Sequence, residues 1–267
     1  MKRKQRSTLV LVVFWSVVLG ASGAWLWRAE RQERLNRDLI VAIKREDTPA
    51  ALLALERGAE ANARDEQDVP GWQRIWDLFQ GHRSLHSGYQ TPLFLLIRRY
   101  RKEDTELLGA LLAHGSRVNV IDEYAFSPIF YAVGSNKAVT VQMLFDHGAD
   151  IRIDSTSNRL LVNAVSDRAA PAIIEMLIQH GADPNQMDSS GVAPLFAAIQ
   201  IGNDDAVRCL LRHHADPNRM VPTNPPIRPL EYVERRIIGT GRGTVVPYFK
   251  RRMTEIAQLL RAAGAKR

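Results

Sequence analysis

Four histidines, His114, His147, His180 and His213, recur at steps of 33 residues, and histidine is the commonest metal ligand. The spacing argues against a shared ion. Equivalent positions in stacked helices lie ~8–10 Å apart, whereas all the donors of one zinc must sit ~2 Å from it. His82 and His86 stand at i, i+4, as two ligands on one helix face would, but no third donor is near in sequence. Cys209 lies in an apolar run from Val207 to Leu211, and no signature of an activated thiolate accompanies it. A single cysteine also excludes a disulfide framework and every zinc site that needs two thiolates. Gly239, Gly241 and Gly243 could cradle a phosphate, but no Lys-Ser/Thr pair follows and no strand-to-helix context surrounds them. No zinc-protease helix, nucleophile elbow or kinase signature occurs. The expected class is therefore a binding protein, not an enzyme, with no metal and no cofactor.

The elements that carry these residues are set by repetition. The histidines close near-identical strings: Ala113 to Asn119, Asp146 to Asp150, Gln179 to Asn185 and Arg212 to Asn218. A second marker opens each unit as Thr91-Pro92, Ser127-Pro128 and Ala193-Pro194, with Leu160-Leu161 in the intervening slot. Ile173, Met176 and Leu177 fall at i, i+3 and i+4, as do Val141, Leu144 and Phe145, so each second helix has one narrow apolar face. Such a face needs stacked neighbours to cover it. The glycine after His114, His147 and His180, a slot that His214 fills after His213, tolerates the positive φ of a left-handed helix cap, so the helix stops sharply and the chain projects as a loop.

These strings resemble the ankyrin repeat, whose TPLHxAA opening, LLxxGAD close and 33-residue length they match. The resemblance implies an all-α solenoid of about six helix-turn-helix units over 36–267, from the close at Arg57 to Asn62 to the one at Leu259 to Ala265. The usual histidine of the opening is replaced by Phe94, Phe130, Asn163, Phe196 and Glu231, so apolar packing is expected where histidine-centred hydrogen bonds normally run. Two stretches break the period. About two dozen residues are inserted around 66–90, where Trp72, Trp76 and Phe79 at i, i+4 and i+7 form a stripe that either packs on the neighbouring repeat or anchors a partner. A second insertion falls around 237–250.

An ankyrin solenoid binds through its loop tips and through the concave face at the ends of its first helices. The tips offer Asp122, Glu123 and Tyr124, and Asp188, Ser189 and Ser190. Aligned on the repeat, the first helices close on Lys44-Arg45, Arg98-Arg99, Gly134-Ser135, Asp167-Arg168, Gln200-Ile201 and Arg235-Arg236. The doubly basic pairs are either solvated helix ends favoured by the dipole or a wall that attracts an acidic partner protein.

Charge and hydropathy supply the remaining expectation. The chain of 267 residues carries +7 formally, but residues 1–6 hold Lys2, Arg3, Lys4 and Arg6 with no acid. Residues 228–267 hold ten basic and three acidic residues, while 28–227 sum to −4. The small excess beyond the tail gives no reason to expect nucleic acid as a partner. From Ser7 to Trp27 there is no charged residue, a run of 21 that as a helix would span the ~30 Å hydrocarbon core. Trp25 and Trp27 close it like an interfacial belt. A cleaved secretory signal shares the basic start and the small residues Gly20 to Ala24; continuation of the apolar run to bilayer length favours an uncleaved signal-anchor. The expected order is a basic tail (1–6), a transmembrane helix (7–27), a linker (28–35) and the repeat domain (36–267). Its short basic tail favours a domain on the far side of the membrane, although Arg28, Arg31, Arg34 and Arg37 follow the span. Resemblance to bacterial envelope ankyrin proteins implies an inner-membrane anchor and a periplasmic repeat domain that shields or inhibits a partner enzyme or toxin. The alternative is a scaffold that assembles a membrane complex.

Overall fold

The computed structural model describes residues 27–63, 91–99, 103–122, 124–153, 157–223, 225–239 and 247–266. Twelve helices occur among them, with a single isolated β-bridge between Val221 and Ile227. None of these helices is long and apolar enough to cross a membrane. The span read at 7–27 lies outside the described residues except for Trp27, and the insertion at 66–90 lies wholly outside them.

The chain forms two compact units. In the first are α1 (27–44), α2 (Thr48–Glu56), α3 (Pro92–Arg99) and all but the first residue of α4 (Thr105–Ala113). Residues 28–35, read as a linker, are helical and belong to α1. Opposite charges at i, i+4 explain this locally: Arg34 pairs with Glu30 at 3.2 Å and Arg37 with Glu33 at 3.3 Å. In α3, Leu93 to Ile97 are all buried, and proline at the first helical position fixes its start.

The second unit holds four helix pairs: α5 (Pro128–Gly134) with α6 (Ala138–Asp146), α7 (Ser157–Ser166) with α8 (Pro171–Gln179), α9 (Pro194–Ile201) with α10 (Asp204–Arg212), and α11 (Pro229–Gly239) with α12 (Pro247–Ala262). First helices pack on first helices (α5, α7, α9, α11) and second on second (α6, α8, α10, α12), which makes two layers of a solenoid. The core runs between the layers through Ile129, Leu144, Leu160, Ile173, Leu177, Ala198, Val207 and Leu210, each 2% exposed or less. Four of the residues read as an insertion at 237–250, those from 247 to 250, belong to α12, which has 16 residues where α4, α6, α8 and α10 have 9. The period break there is thus partly regular helix. Before α11, Val221 and Ile227 bury themselves against Phe196, beside Val192 and Tyr232.

Each second helix ends in one left-handed residue: Gly58, Gly115, Gly148, Gly181, His214 and Gly264, with φ between 64° and 99°. The following N–H then donates back across the last turn, as Ala182 N–H does to Leu177 O (2.9 Å) and Ala215 N–H to Leu210 O (3.0 Å). An asparagine of the preceding loop clamps the same turn. Asn185 donates to His214 O (3.0 Å) and accepts from Asp216 N–H (2.7 Å); Asn119 makes the same pair with Gly148 O and Asp150 N–H (both 2.8 Å), and Asn218 with Gly264 O (3.3 Å) and Lys266 N–H (2.6 Å). In the first unit α1 supplies the clamp from two side chains, Gln32 donating to Gly58 O and Asn36 accepting from Glu60 N–H (both 2.8 Å). Arg152 occupies the asparagine register between 119 and 185, and its guanidinium turns back on Asp150 at 3.0 Å.

Two stability predictions follow from these turns. A Cβ at Gly181 would meet nothing within 4 Å, so Gly181→Ala should cost about 1 kcal/mol through backbone strain alone; His214→Gly should recover part of the corresponding cost. Equal melting temperatures for Gly181→Ala and wild type would refute the strain argument. Arg152→Asn restores the missing clamp at the expense of an exposed ion pair, and should gain ~1–2 kcal/mol in chemical denaturation; a loss of stability would count against it.

Candidate binding surface

The loop that leads into a first helix, before α5 and before α9, is built on an aspartate. Asp122 Oδ1 accepts from Tyr124 N–H (2.9 Å) and Phe126 N–H (3.0 Å), and its Oδ2 accepts from the Tyr131 hydroxyl (2.5 Å). One period pair later, Asp188 Oδ1 accepts from Ser190 N–H (2.8 Å) and Val192 N–H (2.9 Å). Both carboxylates shape the loop, and Asp122 is 7% exposed. The tips present Tyr124, 62% exposed, together with exposed Ser189 and Ser190; Glu123 lies outside the described residues. Ala125 takes φ 61° where Gly191 takes 74° in the equivalent turn, so the 121–126 loop closes without glycine.

Exposed apolar side chains recur on these loops in register. Ile121, Met187 and Met220 share one position of the 33-residue period, and Ile153 lies one residue before it. Beside Tyr124, the Phe126 and Phe130 rings stack at 4.2 Å and Tyr131 meets each edge-on, at 6.0 and 5.8 Å. All these residues belong to the second unit. The sequence reading missed the stripe because it followed the conserved-looking histidines and prolines of the period. Applying the same 33-residue register to apolar residues in polar loops would have exposed it.

The basic pairs have unlike settings. Lys44 and Arg45 close α1, with Arg45 exposed; Arg99 and, before it, the exposed Arg98 close α3, the side chain of Arg99 being outside the description. Both pairs are in the first unit. In the second unit α11 continues to Gly239, so Arg235 and Arg236 lie within the helix rather than at its end. Arg235 pairs with Glu231 at 2.6 Å; Arg236 donates to the Tyr232 hydroxyl (3.1 Å) and lies 5.0 Å from the Phe249 ring centre. Arg168 sits at φ 57° and donates to Ile201 O (2.6 Å), capping the first helix of the next repeat. Trp72 and Trp76 lie outside the described residues.

The periodic histidines take helix-end roles. His147, His180 and His213 are the C-caps of α6, α8 and α10. His147 Nδ1 is 2.9 Å from Met143 O, His180 stacks on Phe145 at 3.7 Å between ring centres, and His213 Nε2 is 3.7 Å from Glu175. Among the described residues no group of three or more His, Cys, Asp or Glu side chains could hold one metal ion. Cys209 is fully buried in α10, and burial pushes its thiol pKa up, against a smaller lowering by Arg212. Lys137 is 7% exposed at the start of α6; burial pulls its pKa down, and Glu103 partly opposes this. Glu103 also accepts from Thr140 N–H (3.1 Å), so this pair fixes the entry of α6.

Comparison with known proteins adds one family. The family model described as ankyrin repeats (3 copies) matches residues 161–224, from α7 to just before α11. No curated protein matches the sequence. Ankyrin repeats are generally protein–protein interaction modules and typically non-catalytic, and the two-layer helix pairs of the second unit have that architecture.

The state of Cys209 yields a direct test. With its thiol buried and protonated at mildly alkaline pH, native protein should resist a thiol reagent, and labelling should follow opening of α9 and α10. Stoichiometric labelling on mixing, before any unfolding, would show the thiol accessible and this account of α10 wrong.

Proposed function

We propose that the chain is a non-catalytic, membrane-anchored interaction module that captures a partner protein on the loop face of its second unit. The observation that carries the reading is the apolar set Ile121, Met187 and Met220, exposed at one position of the period, with exposed Tyr124 three residues after Ile121; Asp122 and Asp188 pin two of these loops from within. Rigid loops present such side chains at little entropic cost, and exposed aromatic and methionine groups are favoured interface anchors. A partner suited to this face has an apolar centre. Taken by itself, the first unit, with basic helix ends at Lys44-Arg45 and Arg98-Arg99, favours a partner with acidic groups.

The uncharged run Ser7–Trp27, preceded by four basic residues, supports a signal-anchor in a bacterial inner membrane with the repeats on the periplasmic side. In that location, shielding or inhibiting an envelope enzyme or toxin is the leading role. A scaffold for a membrane complex is the second.

The test is cross-linking and co-purification of the detergent-solubilised full chain from native membranes. A single soluble enzyme or toxin, retained in stoichiometric amount, fits the inhibitor; several membrane proteins fit the scaffold. Tyr124→Ala with Met187→Ala should weaken capture by about tenfold or more while leaving the melting temperature nearly unchanged, because both side chains are exposed. Undiminished capture by this double variant would remove the loop face from the account.

A further inference from the structure

The ends of α11 and α12 form a second exposed surface with a different chemistry. The last turns of α11 and the first of α12 are adjacent, since Arg236 lies against the Phe249 ring at 5.0 Å. Around that contact Ile238 is 77% exposed and Tyr248 is 61% exposed, large apolar side chains left in water. Arg235 stands one turn before Ile238 on α11; Lys250 and Arg251 follow Tyr248 on α12, and all three are exposed. Arg252 is held inward, its guanidinium 4.8 Å from the Tyr248 ring centre and donating to Gly202 O (2.8 Å). Arg252 Nη1 is also 3.1 Å from Asp204 Oδ1, an ion-pair distance in an orientation that makes no hydrogen bond.

We propose that this α11–α12 surface docks on an anionic lipid bilayer. The charge distribution selects the occupant: beyond the basic tail at 1–6, residues 228–267 are strongly basic whereas 28–227 are net acidic, so within 28–267 a negative plane attracts 228–267 and on balance repels the remainder. Clustered Lys and Arg each strengthen attachment to an anionic leaflet about fivefold, and the helical pairs Arg235–Glu231 and Arg251–Glu255 are exposed, so little is lost in exchanging them for lipid phosphate. Ile238 and Tyr248 give the surface its second component. An aliphatic side chain and an amphipathic ring suit the boundary between headgroups and acyl chains. A nucleic-acid backbone offers Ile238 nothing apolar to enter. The inference stands on these two helices and does not require the N-terminal run to be an anchor.

Because Cys209 is the sole cysteine and is buried, a cysteine placed at 248 takes an environment-sensitive dye alone. The full chain carrying Tyr248→Cys, and separately Ile238→Cys, is mixed with vesicles of phosphatidylcholine or of phosphatidylcholine with phosphatidylglycerol. At low salt both dyes should shift to the blue and be quenched by headgroup-level lipid quenchers only in the anionic vesicles. Lys250→Glu with Arg251→Glu should weaken this response by about tenfold or more. Silence of both dyes on anionic vesicles overturns the proposal. So does an equal response from a dye at Val139→Cys on α6, or a response to duplex DNA in place of vesicles. Carbonate extraction of the same samples reads the anchor independently: an extractable chain whose dyes still respond refutes the anchor and leaves this surface standing.

Discussion

Everything periodic in this protein depends on one backbone turn, the left-handed residue that ends each second helix. At Gly58, Gly115, Gly148, Gly181, His214 and Gly264 the positive φ does two things together. It lets the next N–H close the helix, and it turns a carbonyl and an N–H outward for the asparagine of the preceding loop. Capping a helix and joining it to its neighbour are thus one interaction. The first helix pair meets the same demand with Gln32 and Asn36 of α1. Stability built in this way is local, a sum of helix pairs and of joints, so that a joint with Arg152 in place of asparagine weakens its neighbours without altering their fold.

The same economy decides which side chains remain for recognition. Asp122 and Asp188 are consumed in shaping loops, Arg168 and Arg252 in capping α9, and the periodic histidines in ending second helices. Residues that look chemical in the sequence are largely spent on the backbone. What varies freely is the side chain at the tip of a loop whose main chain is already satisfied. Ile121, Tyr124, Met187 and Met220 occupy such positions, and their exposure costs the fold little because the two layers bury their apolar faces against each other.

The period, the left-handed turns and the six helix pairs were legible in the sequence because each rests on a local rule: glycine where φ is positive, proline at the first helical position, apolar residues at i, i+3 and i+4. The helical state of 28–35 was legible too, in Glu30/Arg34 and Glu33/Arg37, but beside an apolar run the same arginines read as flanking charge before they read as helix pairs. The length of α12 was hidden, since a helix that outgrows its repeat looks like an insertion when only the period is followed. The role of Asp122 was hidden for another reason. Its partners are two amide groups and the hydroxyl of Tyr131, and a one-dimensional pattern does not reveal which way a carboxylate turns.

Sequence charge was a better guide to regions than to residues. It distinguished 228–267 from 28–227, a contrast that survives folding because net charge sums over many groups. It did not distinguish Arg235 from Arg236, neighbours in α11 with opposite commitments: one lies in an exposed helical pair, the other against Tyr232 and Phe249. A guanidinium stacked on two rings is a packing element as much as a charge, since its planar face meets apolar surface while its edge still donates. The contribution of a basic pair to recognition is therefore set by the aromatic residues around it. In α11 and α12 those rings hold Arg236 and Arg252 in place and leave Arg235, Lys250 and Arg251 to face solvent.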